Sequence, residues 1–139
     1  MRSADRNQKG ASVVEFAIIA PLFISLLFAI VEFGLIIYTK GMMAHASREG
    51  GRFGVVYGIP RKTVSEIQAV VQNYLNQMGL TSTATVAVTY PDGNSDSGSR
   101  LRVDINYTYH YFVLPSNINQ FLGKMSDLNL TATAEMRME

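Results

Sequence analysis

The chain has 139 residues, enough for one domain and too few for two large ones. Its formal net charge of +1 argues against nucleic acid as a partner, because binding to phosphates requires a clustered basic surface. The absence of cysteine excludes disulfides, thiolate metal sites and cysteine nucleophiles. The hydrophobic residues, 47% of the chain, are concentrated near the N-terminus.

A short basic head precedes a long apolar run. Arg2, Arg6 and Lys9 lie in the head, and residues 11–38 follow with about 28 nearly unbroken apolar positions. A helix needs about 20 such residues to cross a bilayer, whereas a removed secretory signal has an apolar region of only about 7–15. The sequence therefore predicts a membrane-spanning helix over residues 11–39 that is retained in the mature protein.

Two carboxylates, Glu15 and Glu32, are the charged side chains of this run. An ionisable group inside a membrane helix is costly, and it is a functional-site hypothesis by default. Glu15 stands near the start of the run. Glu32 lies toward the other end and on a different side of the helix, where it could reach the outer interface or contact a partner helix. Pro21 is expected to kink the helix.

The basic head favours a cytoplasmic N-terminus. Lys40, Arg48 and Arg52 follow the run closely and reduce the contrast in charge. We predict a cytoplasmic leader over residues 1–10 and an extracytoplasmic domain over residues 40–139, because the head is short and the C-terminal part has the pattern of an exported sheet.

The helical pattern continues to about Tyr57, and a row of small residues occurs along it. Ala46, Gly50, Gly54 and Gly58 recur every four residues. Glycine costs about 1 kcal/mol of helix propensity relative to alanine, so a compensating close contact is expected. The row predicts helix packing, either against the chain's own sheet or against a neighbouring subunit.

A second, amphipathic helix follows the break at Pro60. Thr63 and Glu66 form the capping-box pattern that marks a helix start, and Gly79 marks its end. From Thr83 the hydrophobic period changes to two, which indicates strands separated by a hairpin loop over residues 91–99. A short irregular or helical piece containing Ile118, Phe121 and Leu122 is expected after Pro115, before a final strand that contains Leu128, Leu130, Ala132, Ala134 and Met136. The predicted fold is α+β: a long membrane helix, one packed helix and an antiparallel sheet of three or four strands, as in pilin-like proteins.

Catalytic and metal-binding patterns are weak. His45 and His110 lie on different predicted elements, and neither has an acidic residue at a spacing typical of a catalytic or metal-binding motif. Asp92, Asn94 and Asp96 alternate as in a calcium loop, but serine follows where that loop requires glycine. We therefore expect neither an enzyme nor a resident metal or cofactor.

The opening of the apolar run carries a family resemblance. Glutamate is the fifth residue after Gly10 and Phe16 the sixth, which resembles the class III signal of type IV pilin-like proteins. The stretches "GASVVEFAIIAPLF", "ASREGGRFGVV" and "LTATAEMRME" together are similar to the TadE-like family, the minor pilins or pseudopilins of the tight-adherence, Flp-type pilus.

This resemblance implies cleavage by a membrane prepilin peptidase between Gly10 and Ala11, on the cytoplasmic face of a bacterial inner membrane. It implies a role for Glu15 and Phe16 in recognition or assembly, other pilin-like subunits as partners, and a place in the assembly of an adhesive pilus. The alternative is a single-pass, membrane-anchored binding module that stays outside any pilus.

Overall fold

The computed structural model describes residues 4–80, 84–112 and 127–139, with the backbone alone for residues 4–9. It contains two helices, α1 (Ala4–Val55) and α2 (Val64–Gln77). Three strands complete it: β1 (Ala84–Thr89), β2 (Arg100–Tyr109) and β3 (Leu128–Arg137). The predicted α+β class is confirmed, with a three-stranded antiparallel sheet. The expected piece around Ile118, Phe121 and Leu122 lies outside the described residues, as does Thr83.

Helix α1 divides into an uncovered half and a packed half. It is helical through Pro21, whose carbonyl accepts a hydrogen bond from the Ser25 hydroxyl at 2.8 Å. Residues 10–31 are exposed apart from the half-buried Ala20, and within the described part of the chain α1 is the one helix long and apolar enough to cross a membrane. From Glu32 onward one face is covered. The buried positions of this face are Glu32, Thr39, Met43, Ala46, Ser47, Gly50, Gly51 and Gly54. Leu35 and Ile36, between Glu32 and Thr39, are half-buried.

The end of α1 differs slightly from the prediction. The helix ends at Val55 and not at about Tyr57. The proline at position 60 disfavours helical geometry for the residue before it. In addition, the Val55 carbonyl accepts a hydrogen bond at 3.2 Å from the backbone N–H of Glu139, so the chain that follows β3 caps the last turn.

Helix α2 forms as its sequence predicts. The Thr63 hydroxyl accepts from the Glu66 N–H, and the Glu66 carboxylate accepts from the Thr63 N–H at 2.7 Å, which completes the capping box. At the other end Gly79 has a positive φ of 73°, and the Leu80 N–H donates to the Leu75 carbonyl at 3.0 Å. Glycine suits this position because it adopts the left-handed region without strain.

The sheet has the order β1-β2-β3, with both neighbouring pairs antiparallel. Its side chains alternate as the sequence predicts, so one face packs against α1 and α2 while the other is polar. Val103 lies opposite Ala134, and Ile105 lies opposite Ala132 and Val86. The core between sheet and helices contains Met43, Ala46, Ile67, Val71, Leu75, Leu101, Val103, Ile105, Tyr109, Leu130 and Ala132.

Candidate functional site

The predicted processing segment lies on the uncovered half of α1. Gly10 and Ala11 are both helical, and Glu15 and Phe16 are exposed. Residues four apart on a helix are neighbours on one face, so the Glu15 carboxylate lies one turn from Ala11.

No contact within the described chain requires glycine at position 10. A Cβ placed there would meet no atom within 4 Å, and the same is true of Gly34 and Gly41. Since glycine lowers helix propensity, its presence at position 10 has no packing explanation inside the fold.

Glu32 differs from Glu15 in having its partners within the chain. Its side chain is only 3% exposed, and its Oε1 accepts from the Tyr109 hydroxyl at 2.7 Å and from the Phe112 N–H at 3.1 Å. Charge-assisted bonds of this kind offset the desolvation of a buried carboxylate. The sequence left the role of Glu32 undecided, and the structure assigns it to holding the end of β2 against α1.

Tyr109 is the matching group on the sheet. Burial, followed by the hydrogen bond to Glu32, raises the pKa of its hydroxyl well above the ordinary tyrosine value. Its ring makes an edge-to-face contact with Tyr111, with 6.0 Å between centroids. Of the three tyrosines on this strand face, Tyr109 is buried, and Tyr107 and Tyr111 are half-buried.

The small residues of α1 lie against the chain's own α2 and β2. A Cβ at Gly50 would overlap the Val71 side chain, and one at Gly54 would overlap Leu101 and come within 2.7 Å of Ile67 Cδ1. Ala46 is fully buried in the same row.

Gly58 was predicted to belong to this row of small residues, and the structure corrects that prediction. It lies beyond the end of α1, where the nearest atom to an added Cβ is the Pro60 carbonyl oxygen at 3.4 Å. The helix-packing row therefore ends at Gly54, because the chain leaves the helix before the next four-residue step.

The remaining polar side chains considered from the sequence are engaged or exposed. His110 Nδ1 lies 2.7 Å from Asp127 Oδ1, an exposed pair that sequence spacing did not reveal, and His45 is exposed. Arg100 donates to the Asp92 carboxylate, which holds the pKa of that carboxyl below its usual value. Among the described residues no group of three or more acidic or histidine side chains is arranged to hold a metal ion.

Comparison with protein families gives a match to the long helix. Residues 10–52 match the family model TadE, described as TadE-like protein. The long helix is TadE-like. The match begins at Gly10, contains Glu15 and Phe16, and ends in the last turn of α1, so it covers less than half of the chain.

The predicted resemblance is confirmed over this TadE-like helix, and it points to a protein associated with the Tad pilus. The searches of curated proteins and of solved structures returned no significant match. The second helix and the sheet lie outside the matched residues.

Proposed function

We propose that this chain is a minor pilin-like subunit, cleaved by a prepilin peptidase after Gly10, that takes part in assembling a Tad pilus. In this proposal the N-terminus is cytoplasmic, α1 crosses the inner membrane once, and the domain is extracytoplasmic. The protein performs no catalysis and is itself the substrate of the peptidase. The family match over residues 10–52 supports this assignment, and one structural contrast carries it further.

That contrast is between the two acidic residues of α1. Glu32 is buried and accepts hydrogen bonds from Tyr109, at the end of β2, and from the Phe112 N–H just beyond it. Glu15 is exposed in a segment that no other described element covers. A carboxylate in an apolar helix is costly unless it is paired, so Glu15 is available to a group outside its own fold.

The group we assign to it is the amine that cleavage would free at Ala11. A cation at the start of an apolar helix and a carboxylate one turn along the neighbouring helix would offset part of each other's desolvation cost. Adjacent subunits would thereby align with a defined axial offset. The uncleaved chain has a peptide nitrogen at Ala11 and lacks this cation.

The uncovered segment has the dimensions that the proposal requires. Residues 10–31 form about 22 residues of helix, or about 33 Å at 1.5 Å per residue. The hydrocarbon core of a bilayer is about 30 Å thick. The segment can therefore span it before the sheet first contacts α1 at Glu32.

The intact mass of membrane-purified protein tests processing. In cells with an active prepilin peptidase we expect loss of residues 1–10 and Ala11 as the new N-terminus. Cells lacking the peptidase provide the control and should retain the full-length chain. A full-length chain in the presence of active peptidase would contradict the proposal.

Substitution of Glu15 tests assembly. Glu15→Ala should reduce processing or co-purification with other pilin-like subunits, whereas Ile19→Ala, on the same uncovered segment, should leave both largely unchanged. Ectodomain stability should be unaffected in both variants, because neither side chain packs against the sheet. Normal processing and normal co-purification of Glu15→Ala would eliminate the role given to this carboxylate.

The second candidate function is a membrane-anchored binding module. A cleft of about 690 Å³ between the ends of α1 and α2 favours it, lined by residues 57–63 and Glu66. The Arg61 guanidinium there stacks over the Tyr57 ring and donates to the Glu139 carbonyl at 2.7 Å. A chain that remains full-length and does not co-purify with pilin-like subunits would favour this function over the first.

A further inference from the structure

The position of the sheet along α1 is fixed by Glu32. The Phe112 N–H and the Tyr109 hydroxyl both reach one oxygen of that side chain, at 3.1 and 2.7 Å. The end of β2 therefore lies at the height of Glu32 on the helix. Leu128, the first residue of β3, is paired with Tyr109 and lies at the same end of the sheet.

This height coincides with the outer boundary of the proposed membrane span. The uncovered segment before Glu32 is about 33 Å long, slightly more than the hydrocarbon thickness of about 30 Å. With that segment in the bilayer, the end of β2 is at the level where hydrocarbon gives way to head groups. The opposite end of the packed half, at Val55, is about 35 Å further along the axis.

Exposed aromatic side chains are found at this level on two elements. Phe112, directly after β2, is 86% exposed, and Phe33 and Tyr38 are exposed on α1. We refer to Phe33, Tyr38 and Phe112 as the aromatic rim. Tyrosine and tryptophan are enriched where membrane proteins meet the head groups, and long cationic side chains near the ends of membrane spans extend to the same interface. Lys40 is exposed just beyond Tyr38 and provides such a cation.

We infer that the aromatic rim lies in the outer head-group region of the bilayer, so that the membrane-proximal end of the sheet rests on lipid. The lipid surface is the expected occupant because the rim is continuous with the proposed span. The polar side chains of His110 and Asp127 lie exposed at this end of the sheet, which places the rim among polar head groups and not in hydrocarbon. The inference rests on the membrane anchoring in the proposed function, and it is independent of processing.

Single-tryptophan fluorescence tests this, because the chain contains no tryptophan. Three full-length variants, each reconstituted as single copies in nanodiscs, report on three depths. Phe23→Trp lies within the uncovered segment, Phe112→Trp on the rim, and Tyr57→Trp beyond the far end of α1. All three replaced side chains are exposed, so the circular dichroism of each variant should match that of the parent chain.

Lipids brominated near the head group or near the chain end then act as quenchers. We expect Phe23→Trp to be quenched most by the deep bromines and Phe112→Trp most by the shallow ones. Phe112→Trp emission should also be shifted to shorter wavelength than that of Tyr57→Trp, which should be solvent-like and unquenched.

Three results would overturn the inference. If the emission of Phe112→Trp is solvent-like and unquenched while that of Phe23→Trp is quenched, the rim is in water although α1 spans the membrane. Blue-shifted but unquenched Phe112→Trp would show that protein, and not lipid, covers the rim. Unquenched Phe23→Trp would remove the membrane span itself, and with it the anchoring in the proposed function.

Discussion

Replacing Tyr109 by phenylalanine should destabilise the domain by removing the hydroxyl that donates to the buried Glu32 carboxylate. The ring and its contact with Tyr111 are retained, so the perturbation is confined to the hydroxyl. Hydrogen bonds to charged groups contribute about 1.5–3 kcal/mol, and the Phe112 N–H remains in place. We therefore expect a loss of about 1.5–3 kcal/mol in the free energy of unfolding the domain.

Hydrogen exchange of the full chain in detergent micelles measures this loss. Protection of the β2 amides should fall roughly tenfold to hundredfold, since about 1.4 kcal/mol corresponds to a factor of ten. Tyr107→Phe is the matched control. Tyr107 lies two positions earlier on the same strand face, is half-buried, and makes no hydroxyl hydrogen bond within the described part of the chain.

Repeating the Tyr109→Phe substitution in a Glu32→Gln chain separates the effect of the Glu32 charge from that of side-chain packing. In a Glu32→Gln chain the acceptor is neutral, so Tyr109→Phe should cost only about 0.5–1.5 kcal/mol there. Equal losses for Tyr109→Phe and Tyr107→Phe in the parent chain would refute the reasoning. They would mean that the Glu32 contact does not contribute to the stability of the sheet.

Three further predictions concern the packed half of the molecule. Gly54→Ala should destabilise the domain by about 1–3 kcal/mol, because its Cβ would press on the buried Ile67. Gly41→Ala, where an added Cβ meets no atom within 4 Å, should be neutral or stabilising. Thermal unfolding compares the two variants, and equal midpoint temperatures would contradict the packing at Gly54. Thr63→Ala should lower the free energy of unfolding by about 1 kcal/mol, because the N-cap of α2 is lost. Denaturant unfolding measures this change, and an unchanged midpoint would show that the cap does not stabilise the domain. Because the pKa of Tyr109 is raised in the folded state, the folded protein retains the hydroxyl proton at a pH where the unfolded chain loses it. The contribution of Tyr109 to the free energy of unfolding is therefore complete below about pH 10 and declines as the pH rises further. An alkaline stability profile as steep in Tyr109→Phe as in the parent chain would exclude that linkage.

Local sequence signals predicted most of the fold. The Thr63–Glu66 capping box, the change to period two after α2, and the long apolar run each correspond to an observed element. These features depend on residues a few positions apart, where helix and strand periodicity act directly. The end of α1 was less well predicted, because the Glu139 N–H that caps it comes from the other end of the chain.

The candidate site was predictable only in part, for the same reason. Glu15 was identified by its spacing from Gly10; it is exposed, and its role in recognition or assembly stays a prediction. The partners of Glu32 lie 77 and 80 positions away, and no short-range pattern connects them. A useful signal was nevertheless present, since a buried carboxylate requires donors and the strand with alternating tyrosines offered them.

The continuity of α1 has a mechanical consequence. One helix of 52 residues, about 78 Å long, runs from before the proposed span to the far end of the domain. A force that pulls the domain away from the bilayer is therefore transmitted along a single hydrogen-bonded rod, and there is no linker to stretch first. Because the sheet is also bonded to this rod at Glu32, span and domain must move together, and extraction from the membrane would occur as one displacement.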